Sequence, residues 1–276
     1  MGELIFIGMG LGGERDLSLK ALDVIRKADK VFFECYTSLL PELDLKSLER
    51  LVKKEVTMLR REDLEGNEEI LLKEAEKRTV VLLVPGDPFI ATTHVTLRIE
   101  ALKRGITTKV IHSASILSAA CSATGLQSYK FGKSVTIVYP DYAFGYFPET
   151  PYEVLYDNLK RGLHTLFLLD LKVEENKFMS IREALEVLIE LERRKGLGII
   201  NDNTLTIGLA RIGCSSEKVK GGCLKEVLSE NFGPPPHSLI IPGELHPIEA
   251  EALIWIARVK EEVIERWKCA LRRIRR

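Results

Sequence analysis

The sequence of 276 residues carries no net charge, because 40 Lys and Arg balance 40 Asp and Glu. A neutral chain has no global field to steer it towards DNA or RNA, so nucleic acid is not an expected partner. Cysteine is scarce. The five cysteines (Cys35, Cys121, Cys214, Cys223, Cys269) are odd in number, widely spaced and never arranged as C-x-x-C. That argues against a disulfide frame or a zinc site and for reduced thiols in a cytoplasmic protein. His94, His112, His164, His237 and His246 show no H-E-x-x-H or other ligand spacing, so no metal is expected. No apolar run approaches the ~18 residues needed to cross a bilayer, and no membrane partner is expected. Met1-Gly2-Glu3 enters a strand-like run directly. It lacks the basic start and apolar core of a signal peptide, and the buried strand argues against a lipid on Gly2.

What is present suffices for two packed interiors: 45% of the residues are hydrophobic, and the length suits two ordinary domains. Short apolar runs alternate with helical patterns. Leu4–Ile7 and Val31–Phe33 read as strands, separated by Leu17, Ala21, Val24, Ile25 and Ala28 at helical spacing. Helical residues 48–51, a short strand at 56–59 and a charged helix over 68–77 follow. Five consecutive apolar residues, Val80–Val84, mark a strand covered on both faces. A helix over 93–103 leads to a strand at 109–112. This alternation predicts an α/β fold with a mostly parallel sheet. Small residues over 113–125 form a seam, after which the pattern restarts. Strands are expected at 135–139, 163–169, 204–209 and 238–241, with helices at 152–160 and 182–194. One long helix is expected from Pro247 to the arginines Arg272, Arg273, Arg275 and Arg276, which suit a helix C-terminus and a solvated tail, with a nucleic-acid patch as the less favoured reading. The expected domains are 1–112 and 113–276.

Two loops carry the chemical signals. Gly8-Met9-Gly10-Leu11-Gly12-Gly13 follows the first strand and satisfies G-x-G-x-x-G, and Glu34 ends the next strand where a ribose-binding acid would sit. Taken alone this favours a dinucleotide. However, Glu14-Arg15-Asp16 places two carboxylates where a pyrophosphate wants a helix N-terminus, and the helix starts late. A plain strand-to-helix turn is the other reading. The second loop, Pro85-Gly86-Asp87-Pro88, follows the strongest strand. Two prolines stiffen a Gly-Asp pair at the strand end where open α/β sheets bind ligands. Asp87 is expected either to accept hydrogen bonds from a small polar ligand or to cap a helix over Phe89–His94.

Together these loops resemble the tetrapyrrole-methylase superfamily, whose opening aligns with Gly8–Ala21 without gaps. Leu11-Gly12-Gly13-Glu14 departs from the Pro-Gly-Asp-Pro of the porphyrin and corrin methylases, which argues against a porphyrin-type substrate. Gly12–Asp16, Glu34–Ser38, Ala91–His94, Ile111–Ile116, Tyr129–Ser134, Arg161–Thr165, Leu209–Arg211, Pro235–His237 and Pro242–His246 resemble the diphthine synthase family within that superfamily. The resemblance implies two α/β lobes, mostly parallel in the N-terminal one and mixed in the C-terminal one. It implies S-adenosyl-L-methionine in the cleft between them, with S-adenosyl-L-homocysteine as product. It further implies a homodimer whose substrate is translation elongation factor 2. Matched by motif, the implied cofactor contacts are Leu11, Asp87, Ile90, Ser115, Ile116, Leu169, Ala210, Ile212 and His237. The bland alternative for His237, after three prolines, is a histidine that fixes a loop.

Methyl transfer needs no protein nucleophile, and no triad is evident; no catalytic residue is assigned. The aromatic segment from Tyr139 to Pro148 is expected either to receive the protein substrate, through Tyr142, Phe144 and Tyr146, or to anchor a long loop. Three other readings stand beside this one. A superfamily member can act on a tetrapyrrole, RNA or another small acceptor. An NAD-dependent oxidoreductase follows from G-x-G-x-x-G with Glu34, and a non-enzymatic adaptor would leave the two loops without a purpose.

Overall fold

The computed structural model describes residues 2–141 and 145–275. The chain divides into two units. One takes in residues through Ile116 together with Val173–Glu175, and the other takes in Leu117–Lys172 and the remainder.

In the first unit the order is β1 (Glu3–Gly8), α1 (Leu19–Lys27), β2 (Lys30–Glu34), α2 (Leu45–Val52), β3 (Val56–Leu59) and α3 (Arg61–Leu64). Then come α4 (Glu69–Ala75), β4 (Thr79–Val84), α5 (His94–Lys103) and β5 (Thr107–Ile111). The five strands form a parallel sheet in the order β3-β2-β4-β1-β5. Strand side chains alternate faces, and the two hydrophobic cores follow that alternation. Leu4 and Phe6 of β1 pack with Leu97 and Ala101 of α5, whereas Ile5 and Ile7 pack with Ala21 and Ile25 of α1. A parallel sheet is stable only when covered on both sides, which is why β4 reads as an unbroken apolar run.

The second unit follows α6 (Ile116–Thr124). It contains β6 (Val135–Ile137), α7 (Thr150–Lys160), β7 (Thr165–Leu169), the short hairpin of β8 (Leu171–Lys172) and β9 (Lys177–Phe178), α8 (Ile181–Lys195) and β10 (Leu205–Ala210). It ends with β11 (Lys218–Cys223), α9 (Leu224–Ser229), β12 (His237–Ile241), α10 (Pro247–Trp255) and α11 (Glu261–Ile274). Its sheet runs β11-β10-β12-β7-β6; β6 and β7 are parallel and the other pairs antiparallel. α8 starts at a reciprocal cap between Ser180 and Glu183 and stops where Gly196 turns left-handed at φ 67°. The α/β class, with one parallel and one mixed sheet, agrees with the sequence reading.

Two sequence expectations need correction. The C-terminal segment is two helices, not one. Ala257 and Val259 are buried, and the Ala257 carbonyl accepts from the Gly221 amide at 2.8 Å. A helical carbonyl at that position would be committed within its own turn, so the chain breaks there, with Arg258 left-handed at φ 54°. Apolar residues continue across the break, which hid it. β11 was also missed, because Lys218, Lys220, Gly221 and Gly222 have poor strand propensity; the lysines suit an unpaired edge.

Three of the family-like motifs build a buried polar cluster where β7 begins and β12 ends. Glu249 is fully buried. Its carboxylate accepts from Lys130 Nζ at 2.5 Å, His164 Nε2 at 3.0 Å, the Gln127 amide at 2.9 Å and the His246 amide at 2.8 Å. The Gly243 amide donates to His164 Nδ1 at 2.9 Å. An N–H can only donate, so the ring proton sits on Nε2. Burial by itself raises the Glu249 carboxyl, but Lys130 and these donors together bring it down to about 2.

A depressed folded-state pKa contributes stability above the unfolded value of 4.5, and that stability is lost as pH falls towards about 2. The span corresponds to about 3 kcal/mol. Glu249→Gln should therefore unfold at lower urea concentration at pH 7 and lose less further stability than the native chain between pH 4.5 and pH 3. Equal acid sensitivity of the two chains would remove this cluster from the stability account.

Candidate functional site

In the first sheet β1 lies between β4 and β5, so the turns that follow all three strands leave from one edge. The chain leaves β1 over one face through α1 and leaves β4 over the other through α5. Adjacent strands whose connections diverge in this way open a crevice at their carboxyl ends. Here the two turns are bonded to each other. The Gly86 amide donates to the Gly10 carbonyl at 2.8 Å, the Gly10 amide to the Gly86 carbonyl at 3.3 Å, and the Met9 amide to the Val84 carbonyl at 2.8 Å. Gly10 and Gly86 have φ of 75° and 69°, a left-handed backbone that favours glycine. At Gly8 the constraint is space. A Cβ there would stand 2.5 Å from the Gly86 carbonyl oxygen and 2.7 Å from Ser113 Cβ.

The glycine-rich loop is not open for a phosphate. Asp16 Oδ2 accepts from the Leu11 amide at 3.0 Å and the Gly12 amide at 2.7 Å, occupying the donors that a pyrophosphate would use. α1 starts only at Leu19, with its Ala21 amide capped by Ser18 Oγ. Glu34 is not available to a ribose either. Its side chain is buried and closes its own turn, accepting from the Tyr36 and Thr37 amides at 3.0 and 3.1 Å and from the Thr37 hydroxyl. Burial lifts this carboxyl to about 7, against the lowering effect of those bonds. Both features that suggested a dinucleotide are therefore used internally.

Asp87 is not a helix cap, since no helix forms over 89–93 and α5 begins at His94. Its Oδ2 accepts from His112 Nδ1 at 2.8 Å and the Ser113 amide at 3.3 Å, while Oδ1 receives only a long 3.4 Å bond from the Phe89 amide. One carboxylate oxygen is thus held and the other is nearly unengaged. The other first-unit residues implied by the resemblance lie in the segments that follow β1, β4 and β5. Leu11 and Ile116 are half-buried, Ser115 is buried, and Ile90 exposes 38% of its surface. The Thr92 hydroxyl is buried without a hydrogen-bond partner.

Strand register gathers the second-unit residues in the same manner. Ala210 pairs with His237, and Leu168 pairs with Ser238. The end of β7, the end of β10 and the start of β12 therefore share one rim, where Leu169, Ala210, Ile212 and His237 lie together. Leu169 and Ile212 are largely buried, and Ala210 is fully so. Both ring nitrogens of His237 are buried without a partner. Burial, with the Arg211 guanidinium nearby, holds this imidazole below its usual range and hence neutral.

The sequence reading passed over Arg211 as a builder of this rim. Its backbone is left-handed at φ 51°. Its guanidinium donates to the carbonyls of Phe232 at 2.8 Å, Pro234, and Ser216 at 2.9 Å, and its amide donates to Pro236 at 2.9 Å. An arginine between two apolar residues at a strand end was the available signal. His112 was likewise quoted within a motif without a role.

The aromatic segment after β6 is described in part, because Tyr142 and Phe144 lie outside the described residues. Tyr139 is covered by Lys177 Nζ at 3.9 Å from its ring centre, and Phe147 by the Arg194 guanidinium at 4.0 Å. Those two rings anchor the loop, whereas Tyr146 is exposed. Among the described residues no three His, Cys, Asp or Glu side chains converge as metal ligands, and no helix is long and apolar enough to cross a membrane.

Residues 3–228 match the family model of tetrapyrrole (corrin/porphyrin) methylases. Diphthine synthase of Staphylothermus marinus is 47% identical over 96% of this chain and 97% of its own length. Diphthine synthase of Methanocaldococcus jannaschii is 46% identical over 92% of this chain and 98% of its own. A crystal structure of diphthine synthase superposes with a TM-score of 0.85 at 37% identity, covering 95% of this chain and 98% of that one. The chain belongs to the tetrapyrrole methylase family and, within it, to the diphthine synthases.

Proposed function

We propose that this protein is the S-adenosylmethionine-dependent methyltransferase that converts the modified histidine of translation elongation factor 2 to diphthine, in diphthamide biosynthesis. Family membership over nearly the whole chain supports the assignment. The observation that carries the chemistry is the joined pair of turns at Gly10 and Gly86, whose amides are satisfied within the protein. A rim whose Leu11, Gly12 and Gly86 amides are already bonded, beside a carboxylate with one oxygen nearly unengaged, suits a cationic sulfonium bearing an ammonium group better than a pyrophosphate.

The residues present fit such a cofactor. Asp87 offers an acceptor, and Ile90 offers exposed apolar surface beside it. The unpaired Thr92 hydroxyl is a buried polar atom that a ligand or water can satisfy, and the His237 nitrogens are buried beside the Gly233 and Pro234 backbone without a well-formed hydrogen bond. Leu11, Ser115 and Ile116 in the first unit, and Leu169, Ala210 and Ile212 in the second, complete the proposed contacts. When bound, S-adenosylmethionine supplies an electrophilic methyl group. The chain's part is to hold the acceptor amine in line at about 3–3.5 Å and to exclude water. An α-amino group titrates near pH ~8, so a neutral fraction exists without a strong protein base. Successive transfers, up to a trimethylated ammonium, call for aromatic faces at the entrance, and the exposed Tyr146 is the ring proposed for this role. We assign the enzyme to the cytoplasm, as a homodimer acting on a protein and on neither nucleic acid nor membrane.

Calorimetry should show S-adenosylhomocysteine binding and no heat with NAD; the reverse pattern would return the chain to the oxidoreductase reading. Asp87→Asn removes one charged acceptor, typically about 1.5–3 kcal/mol, and should weaken that binding roughly ten- to a hundredfold. Gly8→Ala, which forces the joined turns apart, should abolish it while the far-ultraviolet dichroism persists. Incubation of the native chain with labelled cofactor and precursor-bearing elongation factor 2, read by mass spectrometry, counts the methyl groups. Bound cofactor with no gain in mass would reject the substrate.

A further inference from the structure

Of the family-like segments, Glu34–Ser38 supplies none of the proposed cofactor contacts, and Ala91–His94 offers only the unpaired Thr92 hydroxyl. The structure brings them together beneath the Pro85–Pro88 loop. β2 pairs with β4, so the turn after β2 lies alongside the turn after β4. His94, the first residue of α5, is buried at 2% exposure. Its Nδ1 stands 3.1 Å from the Pro88 carbonyl oxygen, and its Nε2 stands 3.4 Å from the Tyr36 hydroxyl.

These partners determine the protonation of the ring. A carbonyl can only accept, so Nδ1 carries the hydrogen. Burial depresses the His94 pKa and keeps the ring neutral, which leaves Nε2 with a lone pair. Tyr36 meets that lone pair with its hydroxyl, and burial pushes the phenol well above its ordinary range, so it stays protonated. Tyr36 is itself fixed. Its amide donates to Glu34 at 3.0 Å, and the Arg61 guanidinium lies over its ring at 5.3 Å. A continuous chain of contacts therefore runs from Glu34 through Tyr36 and His94 to the carbonyl that follows Asp87.

The segment held in this way is unfavourable by itself. Ala91 has φ 54°, a conformation that costs an alanine energy, and the neighbouring Thr92 hydroxyl is buried and unpaired. Such a backbone persists only where its surroundings over-determine it. Thr93 Oγ1 adds a further tether to Glu65 at 3.0 Å, and the Phe89 ring packs on Phe6 at 5.0 Å between centres.

We infer that His94 is a positioning residue for methyl transfer: as a neutral, Nδ1-protonated imidazole oriented by Tyr36, it locks the Pro88 carbonyl and so sets Asp87 and Ile90 for the cofactor. The inference rests on the proposed reading of Asp87 and Ile90 as cofactor contacts. His94→Asn keeps a donor near the Nδ1 position, whereas His94→Phe keeps the ring shape and removes the donor. Each variant is measured for S-adenosylhomocysteine affinity by calorimetry, for melting temperature, and for amide exchange at residues 86–92 in the ligand-free chain.

His94→Phe should weaken binding by about tenfold or more, the size of one lost hydrogen bond to a buried group. It should also speed exchange in that loop by a similar factor, and His94→Asn should bring both within about threefold of the native chain. Tyr36→Phe, which removes the donor to Nε2 and leaves the ring held by Pro88 alone, should fall between the two. If His94→Phe lowers the melting temperature but leaves affinity or loop exchange unchanged, the residue only supports the core and the inference fails. It fails equally if His94→Asn is no better than His94→Phe. Should His94→Phe not fold, Tyr36→Phe against His94→Asn decides the matter by the same two readings. A native chain that binds no S-adenosylhomocysteine would instead refute the proposed function, and the exchange data would still judge the role of His94.

Discussion

The backbone pairing of Gly10 with Gly86 is the constraint from which the geometry of the first unit's proposed ligand edge follows. Two neighbouring parallel strands end at the same level, and their turns exchange amide and carbonyl bonds instead of splaying apart. That pairing needs a left-handed backbone at both glycines and no side chain at Gly8. With its amides used up in this way and by Asp16, the edge loses the character of a phosphate cradle. What remains is a stiff shelf of bonded turns with Asp87 beside it. A sequence fingerprint usually read as a dinucleotide site is compatible with a different cofactor once the fate of each amide is followed.

The second unit solves a similar problem with different means. Glycines are absent from the residues immediately flanking Ala210, and Arg211 does the organising. Its guanidinium gathers three carbonyls from segments 216 and 232–234, placing the loop that precedes β12. His237 then enters the sheet opposite Ala210 with both ring nitrogens unsatisfied. Elsewhere in this unit buried polar groups are carefully paired, as around Glu249. The contrast is consistent with the proposed ligand contact at His237, whose ring lies beside the backbone of Gly233 and Pro234.

Much of this was legible in the sequence, for physical reasons that differ by element. Strands covered on both faces, such as Val80–Val84, announce themselves because burial demands an unbroken apolar run. The two loops were visible because glycine and proline restrict backbone geometry so strongly. What escaped were features decided by tertiary pairing. The break between Trp255 and Glu261 depends on a carbonyl needed by Gly221, and β11 is an edge strand whose lysines carry little strand signal. The uses of Asp16, Glu34 and His94 were invisible for the same reason. A carboxylate or imidazole declares its partner only when the fold has brought that partner near.

The central claim is that the coupled turns at Gly10 and Gly86, with their amides internally satisfied, receive a sulfonium donor beside Asp87. A crystal structure of the chain grown with S-adenosylhomocysteine tests it most directly. The account requires ligand density against the Pro85–Pro88 loop, within hydrogen-bond reach of Asp87, while Asp16 keeps its bonds to Leu11 and Gly12. Density lying elsewhere, or an Asp16 carboxylate displaced from those amides by the ligand, would contradict it.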